Sequence, residues 1–204
     1  VAGSTSGTLE VPASANDAFV AKLDSSGGLK WARQIDGGLD GRALGVAVAR
    51  SGAVYVVGSG EGDMDPSPGD QSLGAAQAAF VAKYATNGDL KWLRQMGGAN
   101  MTLATSVAVS SKEDVYFSGI TVEDLDGAGP SRFFGGPSDV FVSRFDAFGA
   151  QKWVRQLGSP DWEESYSVAV TSGNRPVVGG STDGTIWGHA NAGGTDSFLT
   201  VLPR

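Results

Sequence analysis

The sequence has no cysteine, a single histidine, few basic residues and no long apolar run. Without cysteine there is no disulfide scaffold, no thiolate-ligated zinc, no iron–sulfur cluster and no thiol catalysis. One histidine, His189, excludes multi-histidine metal sites and argues against a histidine-based triad. Fifteen Lys and Arg against 22 Asp and Glu leave a formal net charge of -7. That balance argues against a nucleic-acid partner, which needs clustered cations. Apolar runs such as Val54-Tyr55-Val56-Val57 are far too short to cross a bilayer, so no membrane span is expected. No charged-then-apolar signal pattern stands at the start, and Val1-Ala2-Gly3-Ser4-Thr5 reads like the interior of a longer chain.

Glycine, by contrast, is abundant: 31 of 204 residues, about twice the usual ~7%. Only 8 prolines accompany it, so the excess signals tight turns rather than collagen or Pro-rich linkers. The length allows one medium domain with an apolar core.

Self-comparison organises the chain. Phe19-Val20-Ala21-Lys22 returns as Phe80-Val81-Ala82-Lys83 and as Phe141-Val142-Ser143-Arg144. Lys30-Trp31-x-Arg33-Gln34 returns as Lys91-Trp92-x-Arg94-Gln95 and Lys152-Trp153-x-Arg155-Gln156. Val46-Ala47-Val48 returns at Val107 and Val168, and every offset is 61 residues. Within a unit, runs of five to seven residues rich in β-branched and aromatic side chains end at Gly, Ser, Asn or Asp, the pattern of strands and turns. No stretch holds a 3.6-residue period long enough for a helix. Four strands per unit in a tandem array predict an all-β fold, a β-propeller of four-stranded blades. Repeat units run over about 17–77, 78–138 and 139–195, with partial blades at 1–35 and 166–204. If the Val-Ala-Val strand is innermost, about four blades are present. Two of them lack one strand, and the whole is expected to be part of a larger propeller.

The pattern Asp17-Ala18-Phe19-Val20-Ala21-Lys22-Leu23-Asp24, Gly28-Leu29-Lys30-Trp31, Gly45-Val46-Ala47-Val48 and Val54-Tyr55-Val56-Val57-Gly58 resembles the bacterial SBBP-type β-propeller repeat. Gly180-Ser181-Thr182-Asp183-Gly184-Thr185 running into Asn191–Phe198 resembles that family's junction between units. The resemblance implies an extracellular or cell-surface bacterial protein and brings no catalytic residues with it.

Strand alternation sorts the loops onto two rims. One rim carries Glu10, Asp36, Asp40, Glu61, Asp63, Asp65, Asp70, Glu123, Asp124, Asp126, Asp161, Glu163, Glu164 and Asp183, with only Arg42 and Arg132 beside them. Fourteen acids against two bases is an excess of twelve, a field that attracts cations or a basic partner, or simply keeps the protein dispersed. Asp63-Met64-Asp65 with Asp70, and Asp124-Leu125-Asp126 one repeat later, offer hard oxygens for Ca²⁺, although the EF-hand spacing is absent and Asp is also an ordinary turn residue. Asp161-Trp162-Glu163-Glu164 has no counterpart in the other units and is the candidate partner or ligand rim. Its two carboxylates beside a Trp also suit a sugar-binding or glycosidase pair, but neighbours on one loop rarely reach the ~5–9 Å opposed geometry. The Trp/Arg columns recur in every unit and read as packing between blades. His189 stands alone beside Asn191 and reads as solvated.

The first functional expectation is a non-enzymatic scaffold, adhesion or protein-interaction module. A lectin-like propeller, calcium-assisted and using the acidic rim, is the alternative. An enzyme completed by blades outside this chain is the third. Protein partners, carbohydrate, or self-association through unfinished sheet edges follow as partner classes.

Overall fold

A computed structural model of the chain describes residues 1–9, 16–36, 38, 40–64, 77–97, 100–125 and 136–203. Every regular element among them is a β-strand. The first sheet holds β1 (Ala2–Thr5), β2 (Asp17–Leu23) and β3 (Leu29–Ile35). The second holds β4 (Arg42–Val48), β5 (Val54–Glu61), β6 (Gln77–Tyr84) and β7 (Leu90–Met96). The third holds β8 (Thr102–Val109), β9 (Val115–Thr121), β10 (Asp139–Phe145) and β11 (Gln151–Leu157), and the fourth β12 (Glu163–Val170), β13 (Pro176–Thr182) and β14 (Asp196–Val201). All pairing is antiparallel and sequential, giving meanders of three, four, four and three strands, none of which closes on itself among the described residues. The all-β expectation therefore holds, and each strand run read from the sequence forms a strand.

Two glycine positions explain why the repeat needs them. The strands β4, β8 and β12 each bulge near their start, at Ala43/Gly45, Ala104/Ser106 and Ser165/Ser167. Opposite each bulge stands Gly58, Gly119 or Gly180, where a Cβ would lie within 2 Å of a backbone carbonyl oxygen of the facing strand. No larger residue fits there. The turns before the outer strands use Gly27, Gly88 and Gly149 at φ between 83° and 89°, a left-handed backbone that only glycine adopts freely. At Gly88 and Gly149 a Cβ would also strike the Trp31 and Trp92 rings at 2.9 and 2.8 Å.

Those contacts show how one sheet grips the next. Trp31 Nε1 donates to Thr86 O at 3.0 Å, and Arg33 Nε to Gly88 O at 2.8 Å. Trp92 Nε1 repeats the bond to Ala147 O at 3.1 Å, with Lys83 Nζ on the same carbonyl. Lys83 also pairs with Glu113 at 2.9 Å and stands over the Tyr55 ring. Outer-strand glutamines tie down loops: Gln34, Gln95 and Gln156 accept from the backbone N–H of Leu9, Met64 and Leu125.

Between the sheets lie three apolar clusters. One joins Val20, Trp31 and Ile35 to Val56, Phe80 and Tyr84, and the next joins Tyr55, Val57 and Val81 to Phe117, Phe141 and Phe145. The last joins Tyr116, Val140 and Val142 to Val168 and Val178. Because strands alternate faces and each inner sheet is covered on both, apolar residues occur on both faces, as in Phe80 and Val81, both fully buried. The ends of β4, β8 and β12 converge on one cavity of about 230 Å³, lined by Val48-Ala49-Arg50, Val109-Ser110-Ser111 and Val170-Thr171-Ser172. The second, third and fourth sheets each contribute the same three repeat positions to it.

Candidate functional site

Strand geometry separates the two carboxylates that the sequence places side by side. Glu163 and Glu164 open β12 as neighbours, so they point to opposite faces. Glu163 is only 1% exposed. It accepts from Ser159 N at 2.7 Å, Ser159 Oγ at 2.6 Å and Thr182 Oγ1 at 2.7 Å, three donors that satisfy a buried carboxyl. Glu163 is thus a structural tie between a loop and the β13 end. In the preceding sheet Thr102 holds the same place and reaches Thr121 Oγ1 and Glu123 Oε1 instead.

Glu164 faces outward and accepts from Tyr166 Oη at 2.7 Å, two residues along the same face. The Tyr166 hydroxyl also meets Ser181 Oγ at 2.9 Å on β13. Trp162, 53% exposed, Asp183 and Thr195 complete a cleft of about 370 Å³. Asp183 N donates to Trp162 O, and Thr195 Oγ1 donates to Asp183 Oδ1 at 2.7 Å, so the two loops are stitched together. Asp161 is exposed beside the cleft, its backbone N–H on Ser159 Oγ. Two carboxylates, an indole and a phenol line the cleft, with no Lys or Arg among the described residues.

The cluster breaks the repeat. One and two units earlier, Glu164 is replaced by Leu103 and Arg42, Tyr166 by Thr105 and Leu44, and Trp162 by Met101 and Asp40. The sequence reading found Trp162, Glu164 and Asp183 but missed Tyr166 and Ser181. The available signal was Tyr166 lying two residues from Glu164, on the same strand face and out of pattern with its repeat partners.

The proposed calcium ligands do not assemble among the described residues. Asp65, Asp70 and Asp126 lie outside those residues. Asp63 lines a cleft of about 180 Å³ with Gln34, Asp36 and Met64, while Asp124 follows β9 of another sheet. Among the described residues no three acidic or histidine side chains gather to hold a metal ion. His189 is exposed and closes a tight turn, its N–H on Ile186 O, with Trp187 at φ 52° and Gly188 at φ 77°. That turn borders a cavity of about 550 Å³, which also touches five of the six β14 residues.

No known family model matches the chain. The chain is 29% identical over 177 residues to the regulatory protein FlaEY of Caulobacter vibrioides, which takes in 83% of this chain and 18% of that protein. It thus spans less than a fifth of that relative's length. A solved structure, a gluconolactonase from Xanthomonas campestris, is similar over 84% of this chain and 50% of that one, at 18% identity and a TM-score of 0.36. The expectation of a non-enzymatic scaffold or adhesion module is corrected here, because the relative in sequence is a regulatory protein and not a scaffold. At this TM-score the structural likeness assigns no activity to the chain.

Proposed function

We propose that the four sheets are four-stranded blades, two of them incomplete, of a larger β-propeller within a longer regulatory protein. We further propose that the Glu164–Tyr166 cleft receives an organic cation as its ligand. The blade reading is supported by three inner strands that bring the same repeat positions to one cavity. The resemblance of the repeat to the SBBP type supports it as well. The regulatory setting is drawn from the Caulobacter relative.

The cleft's lining carries the ligand reading: Glu164, Asp183, Trp162 and Tyr166 surround it, and no basic side chain joins them among the described residues. An ammonium or guanidinium group there meets carboxylate charge on one side and an aromatic face on another, the arrangement that attracts cations. Titration with tetramethylammonium and with arginine amide, followed by Trp emission and calorimetry, tests this. The expected result is saturable binding that weakens as salt rises, because the attraction is partly screened. It should vanish in the Glu164→Gln/Asp183→Asn double variant. No saturable response, or an unchanged response in that variant, overturns the reading.

A further inference from the structure

We infer that Asn87 is a site of spontaneous chemical modification, where loss of its side-chain amide loosens the grip of the second sheet on the first. Five asparagines occur in the chain, and Asn87-Gly88 is the one Asn-Gly pair among them. It sits at the tip of the turn between β6 and β7, with Asn87 exposed and Gly88 at φ 89°. The same turn place in the first and third sheets holds Ser26 and Phe148, neither of which carries an amide. Packing is what forces the pair: a Cβ at Gly88 would stand 2.9 Å from the Trp31 ring, so only glycine fits. The missing side chain that admits Trp31 also leaves the Gly88 nitrogen unshielded toward the Asn87 side chain.

The Asn87 side chain is already turned back onto the backbone. Asp89 N–H donates to Asn87 Oδ1 at 3.2 Å, which polarises that carbonyl and makes Cγ more electrophilic. Asn87 Nδ2 donates to Asp89 Oδ2 at 2.9 Å. Gly88 N–H donates to Ala85 O at 2.9 Å, so its nitrogen is released each time that single turn bond opens. The deprotonated nitrogen then bonds to Cγ while the Cγ–Nδ2 bond breaks. Nδ2 leaves as ammonia, with the proton that Gly88 gave up. A water opens the resulting five-membered imide at either carbonyl, giving aspartate or, by addition at the main-chain carbonyl, isoaspartate. Isoaspartate routes the main chain through Cβ and Cγ, lengthening it by a methylene. The carbonyls beside it do the gripping: Thr86 O accepts from Trp31 Nε1 at 3.0 Å and Lys22 Nζ at 3.2 Å, and Gly88 O from Arg33 Nε at 2.8 Å. A longer main chain between those two acceptors pulls them out of register with the first sheet.

None of these residues belongs to the cation cleft. The test incubates the folded, ¹⁵N-labelled chain in mildly alkaline buffer. Trypsin, cutting after Lys83 and Lys91, then releases Tyr84–Lys91 for mass measurement. That fragment should gain the mass difference between amide and acid, faster as pH rises because the deprotonated nitrogen attacks. Fragments holding Asn16, Asn100, Asn174 and Asn191 should keep their mass. In parallel the Trp31 indole N–H signal, identified with Trp31→Phe, should split, the new signal growing at the rate of the mass gain. Asn87→Ser, which borrows the first sheet's residue at this place, should remove both changes. Asn87→Asp, measured fresh, adds the charge without the longer main chain and should keep a single Trp31 signal. If the denatured chain gains mass at Asn87 and the folded chain does not, the turn shields the site and the inference is wrong. A mass gain that leaves the Trp31 signal in place overturns the link to the neighbouring sheet.

Discussion

Trp92 and Trp153 sit one repeat apart on the outer strands of the second and third sheets, and what reaches them differs. Trp92 is capped by a turn from the third sheet, stacked near Phe145 and hydrogen-bonded through its indole. Trp153 lies near the Tyr116 ring, with the Arg155 guanidinium 4.4 Å from its own ring centre and no acceptor for its N–H among the described residues. The same residue type in the same register therefore does different work. The difference lies in the turn carbonyl that the third sheet brings to Trp92. A repeat protein is stable as a sum of neighbour interfaces, so a face with no neighbour among the described residues adds less to that sum.

The largest expected effect contrasts covered and uncovered faces. Phe141→Ala, in the fully buried interface of the second and third sheets, should cost ~3–5 kcal/mol in denaturant unfolding. Phe198→Ala, the equivalent position on β14, is only half-buried and should cost roughly 1–2 kcal/mol, in proportion to the area it covers. Equal losses would mean that the fourth sheet is as well packed as the others.

A sharper contrast comes from the indoles. Trp92→Phe and Trp153→Phe remove the same ring atoms, but only the first breaks a hydrogen bond. Trp92→Phe should be the more destabilising by about 1 kcal/mol. If the two variants unfold alike, the Trp92–Ala147 bond contributes nothing measurable.

The smallest effect concerns the turns. Asp146 accepts from Lys152 Nζ at 2.7 Å and from the N–H groups of Ala150 and Phe148 at 2.9 Å. These donors, Lys152 first, hold its carboxyl down at about 2, below the usual 3.8. Asp24 is held low in the first sheet by Ser26 and Gly28, whereas the equivalent place in the second sheet is Ala85. A depressed carboxylate contributes stability that is present above its unfolded value and is lost as pH falls toward its folded one. The melting temperature should therefore fall between about pH 4 and pH 2, and Asp146→Asn should make that fall shallower. An identical acid limb in the variant would show that the turn carboxylate has no part in it.

Much of this molecule was legible in advance. The 61-residue register, the strand runs and the glycines between them follow from local chemistry: alternation, turn conformation and the absence of a Cβ where a bulge presses in. Trp162 and Glu164 also stood out, because they depart from a pattern the rest of the chain keeps. Tyr166 did not, because a tyrosine on a strand carries no sign of its hydroxyl partners until Ser181 is brought beside it from β13.

The sequence by itself determined which segments are strands, how they follow one another and which residues share a face, since a strand's period of two is set by its backbone. Only the tertiary structure decided which faces are covered. Glu163 became a buried tie and Glu164 a surface carboxylate. Val142 went to the core while Leu199 stayed in the open. Trp153 was left with no acceptor for its donor among the described residues. Those outcomes depend on the neighbouring sheet, and burial is a property of the pair of surfaces that meet.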